Sequence, residues 1–471
     1  MNLRASDILK VRHLKAIDFD VRSRLSVTGV SIDSRTVRRG DLFVALKGER
    51  VDGHDFITKA VSAGAAAILL ERRWAQANEA LLLSLPVPRI IVENSVKGLG
   101  ELARIYRGIF TIPVLAVAGS NGKTTTKDMI AGVLSAKYNV LATEGNLNNH
   151  IGVPLTLFRL RNRHEAAVVE IGTNHPGEIA YLCEILLPTH GLITNIGREH
   201  LEFFRTLAGV AKAEGELFDW LQTYRARTGK IFLNGDDPFL ARRRRKLRNP
   251  FVYGFKVARP TVRGSSLKLS SKACASFSVS GQRRSPFTIT LTTPGLHAAY
   301  NALAAAAVGI AMRVPATGIQ RSLQQFRPSG KRSEVLHVNN VTILNDTYNS
   351  NPDSARAALS TLASMQTAGK RIAVLADMLE LGDAAEKLHQ EIGRATTRLG
   401  IQYLLTFGPL SKATYDASSA PHKIHYEHKN VLAEYLSELV AEGDVVLVKG
   451  SRGMKMEDVV TFLKERLTRA A

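Results

Sequence analysis

Val114-Leu115-Ala116-Val117-Ala118-Gly119-Ser120-Asn121-Gly122-Lys123-Thr124-Thr125-Thr126 is the stretch whose reading decides the fold. An apolar, β-type run ends in a glycine-containing turn, then Lys-Thr, then a helical pattern from Lys127 to Ser135. This is the strand–loop–helix layout of a phosphate-binding loop. Backbone N–H groups and a helix N-terminus meet the phosphate oxygens, a lysine offsets their charge, and a hydroxyl is suited to Mg²⁺. Gly119, Ser120, Asn121, Gly122, Lys123, Thr124 and Thr125 are therefore the candidates for holding a nucleotide, with Thr124 also a metal candidate. Val117 stands where the longer Walker A pattern has its first glycine, which leaves the shorter Gly-x-x-Gly-Lys-Thr form. A Gly-Lys-Thr turn arises readily by chance in a long chain, but much less readily between a strand and a helix.

The 471 residues suit about three domains of ordinary size. A hydrophobic content of 45% with 22% charged residues describes a soluble globular protein. No apolar run approaches the length of a membrane span, the richest being 302–312, and the N-terminus lacks the apolar core of a signal peptide. Two distant cysteines, Cys183 and Cys274, read as free thiols in a reducing compartment. A cytoplasmic protein is expected. The net charge of +21 would attract polyanions, and it is densest at Arg242-Arg243-Arg244-Arg245-Lys246-Leu247-Arg248. No nucleic-acid-binding signature surrounds that run, so a solvated basic face that draws in phosphorylated substrates is the plainer account.

Alternating strands and helices divide the chain into an α/β unit at 1–110, a second at 111–327 and a third at 328–471. In the first, the Asp33-Ser34-Arg35 turn and the 48–53 loop are polar enough to hold a ligand and equally consistent with ordinary turns. In the second, a strand at 166–169 runs into Glu170, and another at 191–193 is followed by His200. Ligands in parallel α/β sheets sit at the carboxyl ends of strands, and a carboxylate there suits Mg²⁺. Residues 256–292 read as an antiparallel hairpin insertion. His297 and Asn301, four apart on the helix 298–312, suit a nucleotide base, with capping as the alternative. In the third unit, strands at 341–344, 371–376 and 445–448 each end in polar loops (345–352, Asp377 and 449–453), which suggests one binding edge.

On these motifs the chain resembles the Mur ligases, ATP-dependent enzymes that form amide bonds in peptidoglycan assembly, and the likeness covers essentially the whole length. Gly119 to Thr124 fits the family phosphate loop, and Glu144-Gly145-Asn146-Leu147-Asn148-Asn149-His150-Ile151-Gly152-Val153-Pro154 fits the segment after it. Asn345 to Asp353, Asp377 to Gly382 and Lys449-Gly450-Ser451-Arg452-Gly453-Met454 look like the branch that adds D-alanyl-D-alanine to UDP-N-acetylmuramoyl-tripeptide. The Asp-Asn-Pro-Arg tetrapeptide of the preceding branch does not occur.

The resemblance implies a small N-terminal UDP-binding domain, a central phosphate-loop ATPase domain with a parallel sheet, and a Rossmann-like C-terminal domain. It implies ATP and Mg²⁺ as cofactors, a cytoplasmic monomer, small-molecule substrates, and no nucleic acid or membrane insertion. It places Lys123 on the ATP phosphates, Thr124, Glu170 and His200 on Mg²⁺, and Asn301, Arg332 and Asp346 on the nucleotide. Ser34 matches a uridine contact and Asn148 a substrate contact, while Asn349, Asn351 and Lys449 would lie around the dipeptide. Several family members bridge their metals with a carbamylated lysine some fourteen residues after the histidine. Here that position is Glu214, with Lys212 two residues earlier. Either Glu214 supplies the negative charge, or Lys212 is modified, or the second metal site is weak. The rivals are a sister ligase such as a folylpolyglutamate synthase, against which the first domain and Tyr348 to Pro352 argue, and a basic nucleic-acid-binding ATPase.

Overall fold

The computed structural model describes residues 1–12, 14–281, 284–328 and 330–469. The chain forms two compact units. The first holds Met1–Ala116, Tyr138–Thr173 and Gly177–His190, and the second holds Val117–Lys137, Asn174–Pro176 and Gly191–Ala471.

In the first unit a five-stranded sheet runs in the order Leu14–Ile17, Arg89–Val92, Ala67–Glu71, Asp41–Val44, Gly29–Ser31. Its first pair is antiparallel and the rest are parallel. Ala67 to Leu70 are all buried, as a strand covered on both faces requires. The helix Ser95–Gly108 starts at Asn94, whose side chain accepts from the Lys97 N–H, and it buries Leu99, Leu102, Ala103 and Tyr106 at helical spacing. A tight turn at Gly53–Phe56, which the Asp52 side chain caps, leads into the short helix Ile57–Ser62. The strands Val140–Ala142 and Ala166–Glu170 pair in parallel in the same unit.

The second unit contains two sheets. In one, the strands Arg284–Pro294, Cys274–Gly281, Val262–Leu269, Phe251–Gly254 and Lys230–Asn234 are successive neighbours. Where an antiparallel hairpin insertion is expected at 256–292, the three strands at 262–294 form an antiparallel meander, and they extend the parallel sheet through the pairing of 251–254 with 262–269 rather than standing apart. The alanine-rich helix Leu296–Ala311 is apolar nearly all round and accordingly buried, packed on the helix Lys123–Ser135.

The other sheet has the order Glu334–Val338, Val341–Asp346, Val445–Lys449, Arg371–Ala376, Tyr403–Phe407, His422–Tyr426, parallel after the first pair. Alternate residues of its strands feed two separate cores. Leu344, Ala373, Leu375, Val445 and Leu447 face one, with Leu359 and Ile392 of the helices Pro352–Ser364 and Ala385–Arg398. Ile343, Ile372, Val374, Val446 and Val448 face the other, with Leu436 and Leu463. A sheet covered by helices on both sides is the Rossmann-like arrangement, and its parallel strands all end at one edge. Among the described residues no helix is long and apolar enough to cross a membrane.

Candidate active site

The strand Val114–Ala118 is wholly buried and delivers its end to Gly119. Gly119 has φ +114°, and a Cβ there would lie 2.3 Å from Thr194 Oγ1, so only glycine fits. Gly122, at φ +77°, precedes the helix Lys123–Ser135, and a Cβ would lie 2.8 Å from the Asn301 side chain. Asn301 is therefore buried directly against the loop.

Several loop amides are already used within the protein. Gly119 N–H donates to Glu214 Oε2 at 2.7 Å, Ser120 N–H to Asn195 O at 2.9 Å, and Asn121 N–H to Asn195 Oδ1 at 3.1 Å. The N–H groups of Gly122, Thr124 and Thr125 find no acceptor among the described residues. Thr124 Oγ1 is buried without a partner. Donors left open at a helix start, beside an orphaned hydroxyl, fit a nucleotide phosphate and its metal.

Lys123 Nζ is turned back on its own loop. It donates to Gly119 O at 2.5 Å and stands 3.3 Å from Glu199 Oε2. Glu199, which sequence reasoning passed over in favour of its neighbour His200, is thus the carboxylate that meets the loop lysine. Its place in a strand-end loop was the available signal.

Glu214 is completely buried, and its Oε1 lacks a partner. Burial pushes its carboxyl up; the positive charge of Lys123 opposes this and the negative Glu199 reinforces it. Lys212, two positions earlier on the same helix, is exposed.

His200 adopts φ +48°, and its Nδ1 lies 2.6 Å from Glu380 Oε2. The histidine holds the Glu380 carboxyl below its usual range. Just before it, Arg198 donates its main-chain N–H to Asp353 Oδ2 at 2.7 Å and its guanidinium to Asp353 Oδ1 at 2.8 Å and Glu391 Oε2 at 2.7 Å. These contacts fix the 197–204 loop to the helices Pro352–Ser364 and Ala385–Arg398. Asn351 caps the first of them and donates its Nδ2 to Asn121 Oδ1 at 2.9 Å, so it reaches the phosphate loop itself.

Asp346 is the last residue of its strand. Its Oδ2 lies 2.6 Å from Lys449 Nζ, and its Oδ1 accepts from Ser333 N–H at 2.8 Å. Burial would raise this carboxyl, but Lys449's charge and hydrogen bond, with His297, outweigh it and pull it below its usual range. His297 is half-buried beside this pair, and desolvation lowers its pKa. Lys449 is also bound to Asn349 O at 2.8 Å. Arg332 lies over the Tyr348 ring, 3.5 Å from its centroid, and Asn349 is exposed.

Three candidates belong to the first unit. Glu170 ends its strand almost wholly buried, with Oε1 accepting from Asn148 Nδ2 at 2.8 Å and Oε2 unpartnered. Ser34 is buried in its turn. Among the described residues no group of three or more His, Cys, Asp or Glu is arranged to hold a metal by itself.

A phosphate loop opening a helix, on an α/β fold that also carries a Rossmann-like sheet, defines a nucleotide-binding protein. Comparison with known proteins agrees at each stretch. The profile described as Mur ligase family, catalytic domain, matches residues 26–107, the Mur ligase middle domain matches 117–309, and the Mur ligase glutamate ligase domain matches 331–452. The chain belongs to the Mur ligase family. It is 36% identical to the UDP-N-acetylmuramoyl-tripeptide–D-alanyl-D-alanine ligase of Escherichia coli, over 94% of this chain and 95% of that one. It is 34% identical to the Bacillus subtilis enzyme of the same description, over 93% of each. Crystal structures of MurF from Acinetobacter baumannii (TM-score 0.88, 28% identity, 99% of each chain) and of MurF ligase from Thermotoga maritima in complex with ADP (TM-score 0.81, 29% identity, 94% of this chain and 98% of that one) share the fold.

Proposed function

We propose that the chain joins D-alanyl-D-alanine to UDP-N-acetylmuramoyl-tripeptide, the ligation that its relatives' descriptions name, and that it does so at the expense of ATP in cytoplasmic assembly of the cell-wall precursor. The observation that carries the reading is the open phosphate loop, with unused N–H groups at Gly122, Thr124 and Thr125 and an orphaned Thr124 hydroxyl.

A carboxylate is a poor acyl donor because its oxide does not leave. An oxygen of the tripeptide's terminal carboxylate takes the γ-phosphoryl group of ATP, ADP departs, and the resulting acyl phosphate carries a good leaving group. The neutral amine of the dipeptide then forms the C–N bond, the C–O bond to phosphate breaks with its electron pair, and the amine proton is lost. No enzyme nucleophile is required, so positioning and charge stabilisation are the protein's task. Lys123 would leave Gly119 O and Glu199 to meet the phosphoryl oxygens. Asn301 and Asp346 would hold the base and the ribose, and Arg332 would contact the nucleotide. Ser34 and Asn148 would serve the muramyl substrate, and Asn349 and Asn351 the dipeptide side. Thr124, Glu170 and His200 would hold Mg²⁺, which offsets charge on the transferring group. The unpartnered oxygens of Thr124 and Glu170 support those assignments, and His200 would have to leave Glu380. Glu214 rather than exposed Lys212 would supply the additional carboxylate, since it alone of the two reaches the loop.

The test is phosphate release from ATP with UDP-N-acetylmuramoyl-tripeptide and D-alanyl-D-alanine added singly and together. Release that needs both, with a pentapeptide product by mass, supports the reading. Release that ignores the dipeptide and answers to another acceptor overturns the substrate.

A further inference from the structure

Two guanidinium groups converge on one aromatic ring at the strand-end edge of the C-terminal sheet. The Tyr348 centroid lies 3.5 Å from Arg332 Cζ and 5.3 Å from Arg452 Cζ. Tyr348 follows the strand that ends at Asp346, and Arg452 follows the strand that ends at Lys449; those strands are paired with Asp346 opposite Lys449. The ring attracts each cation, but the two cations repel one another. Among the described residues neither guanidinium has a carboxylate within ion-pair distance, and the nearby acids are committed elsewhere. Asp346 is bound to Lys449 and Ser333. Glu457 feels the charge of Arg452, but its carboxylate pairs with Lys331 at 3.0 Å. Like charges gathered at one ring without a counter-charge mark a place where an anion completes the arrangement.

We propose that Arg452, seated against Tyr348, binds the terminal carboxylate of the acceptor dipeptide. The inference rests on the reaction assigned above. Three observations favour the carboxylate over a nucleotide phosphate. The phosphates already have the open amides of the Lys123 helix. Lys449, the other cation on this edge, is buried and bound to Asp346 and Asn349 O, so it has little left to offer the acceptor. Arg452 is exposed, with its main-chain N–H 3.4 Å from Asn349 Oδ1, whereas Arg332 is the guanidinium stacked closely on the ring. A guanidinium fork matches a carboxylate in two parallel hydrogen bonds. Gripping the acceptor at its far end leaves its amine free to attack and makes the free acid the preferred substrate over an amidated or extended peptide.

The experiment compares the full chain with its Arg452→Met and Arg452→Lys variants, using D-alanyl-D-alanine and its C-terminal carboxamide as acceptors at saturating ATP and muramyl substrate. Arg452→Met is expected to raise KM for the free acid about tenfold to a hundredfold, leaving KM for the carboxamide and for ATP within about threefold. Arg452→Lys, which keeps the charge, should fall between, and it carries the test if Arg452→Met does not fold by its thermal melt. Equal losses on both acceptors, a rise in the ATP KM instead, or no change in any constant overturns the proposal. Failure of the unsubstituted chain to make pentapeptide would overturn the underlying reaction independently of either variant.

Discussion

Lys123 illustrates how one side chain can serve two states. Its ammonium lies on Gly119 O and near Glu199, so its charge is satisfied inside the loop, and the same charge is suited to phosphoryl oxygens. Lys123→Ala should lose about a hundredfold or more in turnover, the scale of removing one preorganised donor from a transition state. Phosphate release beside a thermal melt checks this, and a variant that keeps its rate would remove Lys123 from the chemistry. Asp346 carries a prediction of the opposite kind. Its carboxyl is held below the usual range, so its contribution is fully present above the ordinary carboxylate pKa and is lost as pH falls through the depressed native value. Asp346→Asn leaves buried Lys449 without its counter-charge and should destabilise the chain by about 3 kcal/mol at neutral pH. The gap to the unsubstituted chain should hold down to about pH 5 and narrow below about pH 4. Urea unfolding across that range measures it, and a gap indifferent to acid would count against the pair.

At the level of elements, the 197–204 loop is the joint on which much of the site turns. Arg198 binds Asp353 and Glu391, which lie on two different helices. Arg198→Ala should speed amide exchange in that loop and at the start of the helix Pro352–Ser364, and raise KM for ATP several-fold; unchanged exchange there would sink the idea. The joint was not legible in the sequence: Asp353 closes a recognisable motif, but nothing there says that Arg198, some 155 residues away, would bind it, or that Glu391 would join them. The apolar strands that lead into the site were legible. The runs Val114–Ala118 and 445–448 are apolar throughout because both faces are covered, and a glycine or polar cluster marks their ends. The phosphate loop was legible for the same reason, since its glycines answer to local geometry. Lys449 shows the limit: its place at a strand end was readable, but not that Asp346 on the neighbouring strand would engage it. That pairing depends on register between strands about a hundred residues apart.

Across the whole molecule, the net charge of +21 should act chiefly on encounter with anionic substrates. KM for the muramyl nucleotide is expected to rise several-fold between about 0.02 M and 0.5 M salt, with kcat little changed. Steady-state kinetics over a salt series decides it, and a flat KM would leave the charge without a part in substrate capture. Within the basic run, Arg243 is spent on Asp219 and Gly215 O, and Arg244 on the carbonyls of Ala258 and Arg259, so part of that stretch holds its own fold together.

The chain passes between its two units after residues 116, 137, 173, 176 and 190. Both units are therefore woven from the same stretch of gene, with the phosphate loop at the start of the weave. A recombination event that broke the coding sequence anywhere between those points would leave neither unit whole. Descent with modification in this region must proceed by substitution in place, and the loop and both units must be inherited together.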